Sequence, residues 1–486
     1  MPDNRAASSF RDPSGFVFAL DGVVFRQVNE SFKPHLDLLM ESGLYQKLTD
    51  SKLLVSHEEL SGAEQESVCT KLAEKNSVKE RRDHSVETST NGSSCYKVLK
   101  PRQIPFISYP YEWSFSQLKD AALLTIGIQK IAMEHGMVLK DASAYNVQFL
   151  EGAPVLIDTL SFEKYTEGEP WVAYRQFCQH FLAPLALMSV VDMRLSQLSL
   201  VHIDGIPLDL AATLLPKSTL LNVGLLTHLH MHSKAQQKYS KNAVQAESQG
   251  KQQLGKSGLF AIVDNLESCI KGLKTKEHDT FWKNYYDEHN YSNEAFKNKK
   301  KAVSDFLDEC APSVVWDLGA NTGVFSRIAT AKGALTISAD LDHMAVEANY
   351  LKAKTDGDKN VLPLLVDLTA PPPAIGWANE ERMSLADRGP ADAILALALV
   401  HHLAIGNNVP LSQIAQYFST LARHVIIEFV PKADSQVREL LANREDIFAG
   451  YNQQDFEKAF ERFFEPVNKR EIEGSERTLY LFRTKG

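Results

Sequence analysis

The residues with the clearest chemical potential lie beyond position 310. Asp317-Leu-Gly319-Ala-Asn321-Thr-Gly323 places a carboxylate, two glycines and an asparagine at alternate positions. Glycine reaches backbone conformations closed to other residues, and asparagine tolerates a left-handed backbone best among the rest. A turn of this kind lets main chain approach a ligand closely, and a helix start beyond it favours a carboxylate or phosphate. A second acidic residue, Asp340, follows about 20 residues after the turn, the place where a ribose diol finds its acceptor. The glycines are spaced G-x-x-x-G, so this is not the G-x-G-x-x-G dinucleotide turn. The Gly-Lys-Ser/Thr ending of a phosphate loop is absent as well. The chemistry indicated is the holding of a nucleoside-like ligand.

Several elements must position these residues. The apolar run 314–316, opened by Pro312, reads as a buried parallel strand that delivers Asp317. Residues 324–332 continue as a helix, with Gly333 as its stop. Residues 334–339 form a second strand ending at Asp340, and 361–366 a third capped by Asp367. Residues 392–400 form a fourth, followed by His401-His402, and 423–430 a fifth carrying Glu428. The segments 464–472 and 477–483, joined by Glu-Gly-Ser, read as a hairpin.

Asp-x-Gly-x-Asn-x-Gly after a strand, with acidic residues at the next two strand tips and a closing hairpin, resembles the class I S-adenosylmethionine (SAM) dependent methyltransferases over residues 280 to 486. The resemblance implies an α/β fold, a Rossmann-like seven-stranded sheet closed by an antiparallel hairpin. It implies that Asp317, Gly319, Asn321, Gly323, Asp340 and Asp367 hold SAM, with Asp367 at the adenine edge. His401 and His402 would then meet the methyl acceptor, where a near-neutral imidazole suits a general base. Glu428 is the alternative base. No Asn/Asp-Pro-Pro-Tyr string follows strand four, which argues against adenine-N6 and glutamine-type methyltransferases. The acceptor itself, a small molecule, glycan or protein methylated on O or N, is not indicated.

The N-terminal half carries a second constellation. Strand-like pieces at 16–20 and 22–28 precede a helical stretch at 33–48, and residues 116–136 have helical apolar spacing. Asp141 and Asn146 are five apart, and Asp158 ends the next apolar run. This order resembles protein kinases and aminoglycoside phosphotransferases, and implies an α+β, kinase-like domain with an Mg-ATP site at Asp141, Asn146 and Asp158. Asp158-Thr-Leu stands in place of Asp-Phe-Gly, Lys140 precedes the loop aspartate, and a Gly-rich phosphate loop is absent. As a whole the chain is similar to a bacterial family of two-part proteins described as SAM-dependent methyltransferases, some of them nodulation-related. Tyr109-Pro-Tyr-Glu-Trp-Ser, Leu139-Lys-Asp-Ala-Ser-Ala-Tyr-Asn and Leu156-Ile-Asp-Thr-Leu-Ser-Phe carry that similarity.

The remaining features bound these readings. A chain of 486 residues holds two or three domains, and 44% apolar content suffices for packed cores. A net charge of −9 excludes broad nucleic-acid binding. Five cysteines without a C-x-x-C indicate neither a zinc site nor a disulfide framework, which fits the cytoplasm. No stretch approaches a membrane span, and the N-terminus lacks an apolar secretion signal. His228, His230 and His232 would share one face of a strand, without a nearby acidic or thiol helper, so no metal site is expected. The expected organisation is an α+β domain at 1–233 with a mobile insertion near 76–95, then a polar linker at 234–258. A helical lead-in at 259–310, with an aromatic stretch at 281–292, precedes the methyltransferase domain at 311–486. The basic run 297–301 reads as a solvated face. Three functions stay open: a methyltransferase with a recognition module, a bifunctional phosphotransferase–methyltransferase, and a catalytically silent SAM-binding protein.

Overall fold

The computed structural model describes residues 5–80, 94–232, 255–275, 292–442 and 444–485. Most of the insertion near 76–95, most of the linker and the aromatic stretch up to 291 lie outside the described residues.

The C-terminal half is built on seven strands: β1 (Val314–Leu318), β2 (Leu335–Asp340), β3 (Val361–Leu365), β4 (Ala391–Ala396), β5 (Ala422–Phe429), β6 (Phe464–Glu471) and β7 (Thr478–Thr484). Their order across the sheet is β3-β2-β1-β4-β5-β7-β6. The first five run parallel, and β7 lies antiparallel between β5 and β6. Parallel strands covered by helices on both faces must be apolar on both faces. Trp316, Ile394, Leu395 and Ile426 accordingly sit in the core. The strand order reverses between β1 and β4, and such a switch point leaves a crevice at the carboxyl ends of the strands. Phe456 and Phe460, on the helix before β6, pack against Phe482 of the hairpin and close that edge.

The helix after β1 is shorter than the sequence suggests. It covers only Ser326–Thr330, because left-handed glycines stand at positions 323 and 333 on either side. A five-residue helix contributes little dipole, so the expected anion-favouring terminus is weak here.

In the N-terminal half a four-stranded antiparallel sheet runs in the order Gly15–Leu20, Val23–Asn29, Cys95–Pro101, His57–Glu59. The helix Phe115–Glu134 starts on a capping box, in which Ser114 accepts from the Gln117 amide and the Gln117 side chain bonds back to Ser114. Two small antiparallel pairs follow, Met137–Leu139 with Phe162–Lys164, and Val147–Leu150 with Ala153–Leu156. His228 and His230 lie on a helical turn, Leu226–Met231, that His232 caps, rather than on a strand. His228 bonds Tyr174 and Asn265, and His230 bonds Thr219. Among the described residues no group of three His, Cys, Asp or Glu is arranged for a metal. None of the described helices is long and apolar enough to cross a membrane.

The two halves share one continuous core. The segment beginning at Tyr109 is where they lock. Glu112, fully buried, takes two bonds from Arg388 at 2.5 and 2.8 Å. Gln117 donates to the Pro363 carbonyl at 2.9 Å, the Ser116 amide to Glu347 at 3.0 Å, and the Tyr350 hydroxyl to Asp120 at 2.7 Å. The Tyr109 hydroxyl accepts from the Met383 amide. The segment from Tyr109 to Asp120 therefore acts as the seam between the halves. The expected lead-in at 259–310 is divided. Helix Lys256–Gly272 packs on the N-terminal half, with Lys130 bridging to Asp264 and Glu267. Helix Asn293–Cys310 packs on the C-terminal sheet.

Candidate functional site

The turn after β1 adopts three left-handed residues: Gly319 at φ 75°, Asn321 at φ 51° and Gly323 at φ 77°. The asparagine thus stands in the conformation that its type tolerates. A Cβ on Gly319 would sit 3.3 Å from Leu399, so the start of this turn lies under the segment that leaves β4. A Cβ on Gly323 would meet Asn349 Oδ1 at 2.5 Å and Arg327 Nη1 at 2.7 Å. Left-handed strain and this clash together cost about 2 kcal/mol or more. Gly323→Ala is expected to lower urea-unfolding stability by that amount, and an unchanged midpoint would mean that the turn is looser than described.

Asp317 lies beneath the turn. It is buried, and it accepts from Ser326 Oγ at 2.6 Å, which in turn bonds Ser338. Burial, and to a lesser degree the neighbouring Asp340, push its carboxyl up to about 7. Asp340 ends β2 beside the turn. Its Oδ2 accepts from the Asn321 amide at 2.7 Å and its Oδ1 from the Asp342 amide at 2.9 Å. Burial pushes its carboxyl up to about 6. Asp367, past the end of β3, is exposed and accepts from the amide and hydroxyl of Thr369. The tips of β1, β2 and β3 are side by side, with Ser338 paired to Asp317 and Asp340 to Leu365. Leu341, next to Asp340, is 60% exposed and gives this edge an apolar surface. A single leucine after a strand carries no pattern in the sequence that would mark it as part of a site.

At the tip of β4, Ala398 is left-handed at φ 50° and leads into His401 and His402, whose ring centroids are 4.2 Å apart with the planes tilted by 38°. His401 is fully buried, and neither ring nitrogen has a hydrogen-bond partner among the described residues. Burial drives its basicity well below the usual imidazole value, and that of the half-buried His402 down to about 4. Glu428 is fully buried in an ion-pair cluster. It takes Lys299 Nζ at 2.6 Å and the Ala398 amide at 2.7 Å, and Arg477 approaches at 3.8 Å. Arg477 is also held bidentately by Asp434. Lys299 belongs to the basic run expected to face solvent; this one lysine instead points into the core, 3% exposed.

The second constellation sits apart in the N-terminal half. Asp158 pairs with Arg26 Nη1 at 2.7 Å and accepts from Ser161 Oγ, while Asn146 donates to that same hydroxyl. Arg26 also bridges to Asp12. Burial and the nearby Asp158 raise the Asp141 carboxyl above its ordinary value. The three expected residues are brought together, but an arginine supplies the countercharge at Asp158.

No family model matches the sequence. Nodulation protein NoeA of Rhizobium meliloti (strain 1021) is 36% identical over 481 residues, covering 98% of this chain and 96% of that protein. Among solved structures, the N-methyltransferase NodS from Bradyrhizobium japonicum WM9 is 9% identical and covers 40% of this chain and 99% of its own, with a TM-score of 0.29. Magnesium protoporphyrin IX methyltransferase from Synechocystis PCC 6803 with bound SAH is 17% identical, covering 39% and 84%, with a TM-score of 0.28. The bifunctional kinase-methyltransferase WbdD is 18% identical, covering 44% and 45%, with a TM-score of 0.28.

Proposed function

We propose that this chain, which belongs to the family of the nodulation protein NoeA, is a SAM-dependent methyltransferase with its cofactor across the tips of β1, β2 and β3. The observation that carries the reading is the left-handed Gly319–Gly323 turn beside Asp340, set at the reversal of a β3-β2-β1-β4-β5-β7-β6 sheet.

The residues fit the group. Asp340 offers the remaining acceptor capacity of both oxygens to a ribose diol, Asp367 an exposed carboxylate to the adenine amine, and Leu341 an apolar face to the base. Gly319 and Asn321 bring main chain to the same edge. When bound, SAM supplies an electrophilic methyl group on a sulfonium centre. The chain's own task is to exclude water, align the acceptor's O or N atom and receive its proton where needed. His402, half-buried and neutral at pH 7, is the group of the pair that a ligand can reach. His401 backs it as a buried shield. Glu428, committed to Lys299 and the Ala398 amide, is poorly placed to serve as the base.

Calorimetry of the full chain with SAM and with S-adenosylhomocysteine (SAH) tests the reading. Saturable one-to-one binding of both is expected, and the absence of heat for either at millimolar ligand would end it. A radiolabelled-methyl assay on size-fractionated extract then identifies the acceptor, and SAM binding without transfer to any fraction favours the silent SAM-binding alternative.

For the N-terminal half we favour recognition of the acceptor or a partner over phosphoryl transfer. The Arg26–Asp158 pair supports this, since a divalent ion at Asp158 would have to displace a guanidinium already bonded at 2.7 Å. Mg-ATP is expected to give no calorimetric signal with the full chain. Binding that depends on Asp158 would instead revive the bifunctional reading.

A further inference from the structure

Glu428, Lys299 and Ala398 form an arrangement that the proposed transfer chemistry does not use. Lys299 arrives from helix Asn293–Cys310, Glu428 from β5 and Ala398 from the end of β4. All the charge is out of solvent: Lys299 is 3% exposed and Glu428 0%. One carboxylate oxygen, Oε2, takes both the lysine ammonium at 2.6 Å and the Ala398 amide at 2.7 Å. Ala398 holds a left-handed backbone that an alanine does not adopt without help. The residue that follows, Leu399, is the one set over Gly319, and the His401–His402 pair comes three residues on.

We propose that Glu428, kept in place by Lys299, is a positioning residue whose acceptor oxygen pins Ala398 in its left-handed turn and so sets Leu399 and the histidine pair against the cofactor turn. The inference rests on the methyltransferase reading only for its effect on ligand affinity; the pinning itself is a property of this chain. A buried carboxylate is expensive to keep, and two apolar residues of similar size would hold strand to helix as well. What they would lack is an acceptor for the Ala398 amide. The lysine explains the charge, since a carboxylate accepting from an amide at the sheet's centre needs a fixed cation beside it. Arg477 adds a second, more distant charge at 3.8 Å, but its bidentate partner is Asp434.

Two charge-free double variants separate pinning from plain packing. Lys299→Met with Glu428→Gln removes both charges and keeps an amide oxygen for Ala398. Lys299→Met with Glu428→Leu removes the acceptor too. Hydrogen exchange of the full chain is read over residues 397–403, with 361–366 as reference, alongside SAH titration. The Leu variant is expected to exchange at least tenfold faster at 397–403 with 361–366 unchanged, and to bind SAH at least tenfold more weakly. The Gln variant is expected to recover most of both. Equal exchange at 397–403 in the two variants overturns the proposal. If wild-type protein fails to bind SAH, the methyltransferase reading falls, while the exchange comparison still decides the pinning.

Discussion

Asp340→Ala is expected to weaken SAH binding by about 100-fold or more while leaving the unliganded fold close to its wild-type stability. A carboxylate that takes two ribose hydroxyls makes two charge-assisted bonds, each worth about 1.5–3 kcal/mol. Their loss falls wholly on the complex. In the unliganded protein the same change frees the Asn321 and Asp342 amides of their acceptor but also removes a carboxyl that burial disfavours. The two effects oppose each other. The pH dependence has a fixed sign. With its carboxyl raised to about 6 in the fold, Asp340 stabilises the unliganded protein at acid pH. That contribution is lost as pH rises through about 6. Ligand affinity runs the other way, because the ionised form accepts the diol. The SAH dissociation constant is expected to rise as pH falls below about 6, by up to about tenfold per pH unit. Asp340→Asn should flatten that profile. An affinity within threefold of wild type in Asp340→Ala, or a pH profile unaltered in Asp340→Asn, would show that the ligand lies elsewhere.

The largest expected effect on stability comes from the seam. Glu112→Ala is expected to cost about 3–5 kcal/mol in urea unfolding, because it leaves Arg388 charged, buried and without its carboxylate. The guanidinium keeps no other carboxylate among the hydrogen bonds it makes to the described residues. It also donates to the Ile107 and Ser384 carbonyls and lies over the rings of Phe106 and Tyr109, contacts that require the same seat. The double replacement Glu112→Leu with Arg388→Met removes both charges and should recover most of the loss. If Glu112→Ala costs less than about 1 kcal/mol, water reaches the pair and its energy is that of a surface bridge.

Much of the C-terminal half was legible because each signal is local. A parallel strand buried on both faces writes itself as a continuous apolar run, and Asp340 and Asp367 punctuate two such runs. Asn321 was readable as left-handed from its residue type alone. The failures are all of partnership. Lys299 sits in a basic run, and nothing local distinguishes it from Lys297 or Lys300; only Glu428, far along the chain, makes its burial tolerable. The string Tyr109-Pro-Tyr-Glu-Trp113 carries the family similarity, yet the partner of its Glu112 is Arg388 on the other half. The i, i+2, i+4 histidine spacing would give one shared face only on a strand; on the helical turn observed, His228 and His230 go to different partners. Helix Lys256–Gly272 follows a polar stretch and so was grouped with what comes after it, although its salt bridges go to Lys130.

That last helix decides where the protein can be cut. Severing the chain in the polar stretch before 255 and expressing the remainder would produce a fragment that begins with an unhoused amphipathic helix. Leu259, Val263, Leu266 and Ile270, all buried in the intact molecule, would form its bare stripe. Starting at 292 instead leaves Arg388 and Glu347 facing water from a surface shaped for Glu112 and Ser116. Neither piece is expected to be self-sufficient. Two domains merely tethered could be shuffled by recombination; halves that share an interior are constrained to change together.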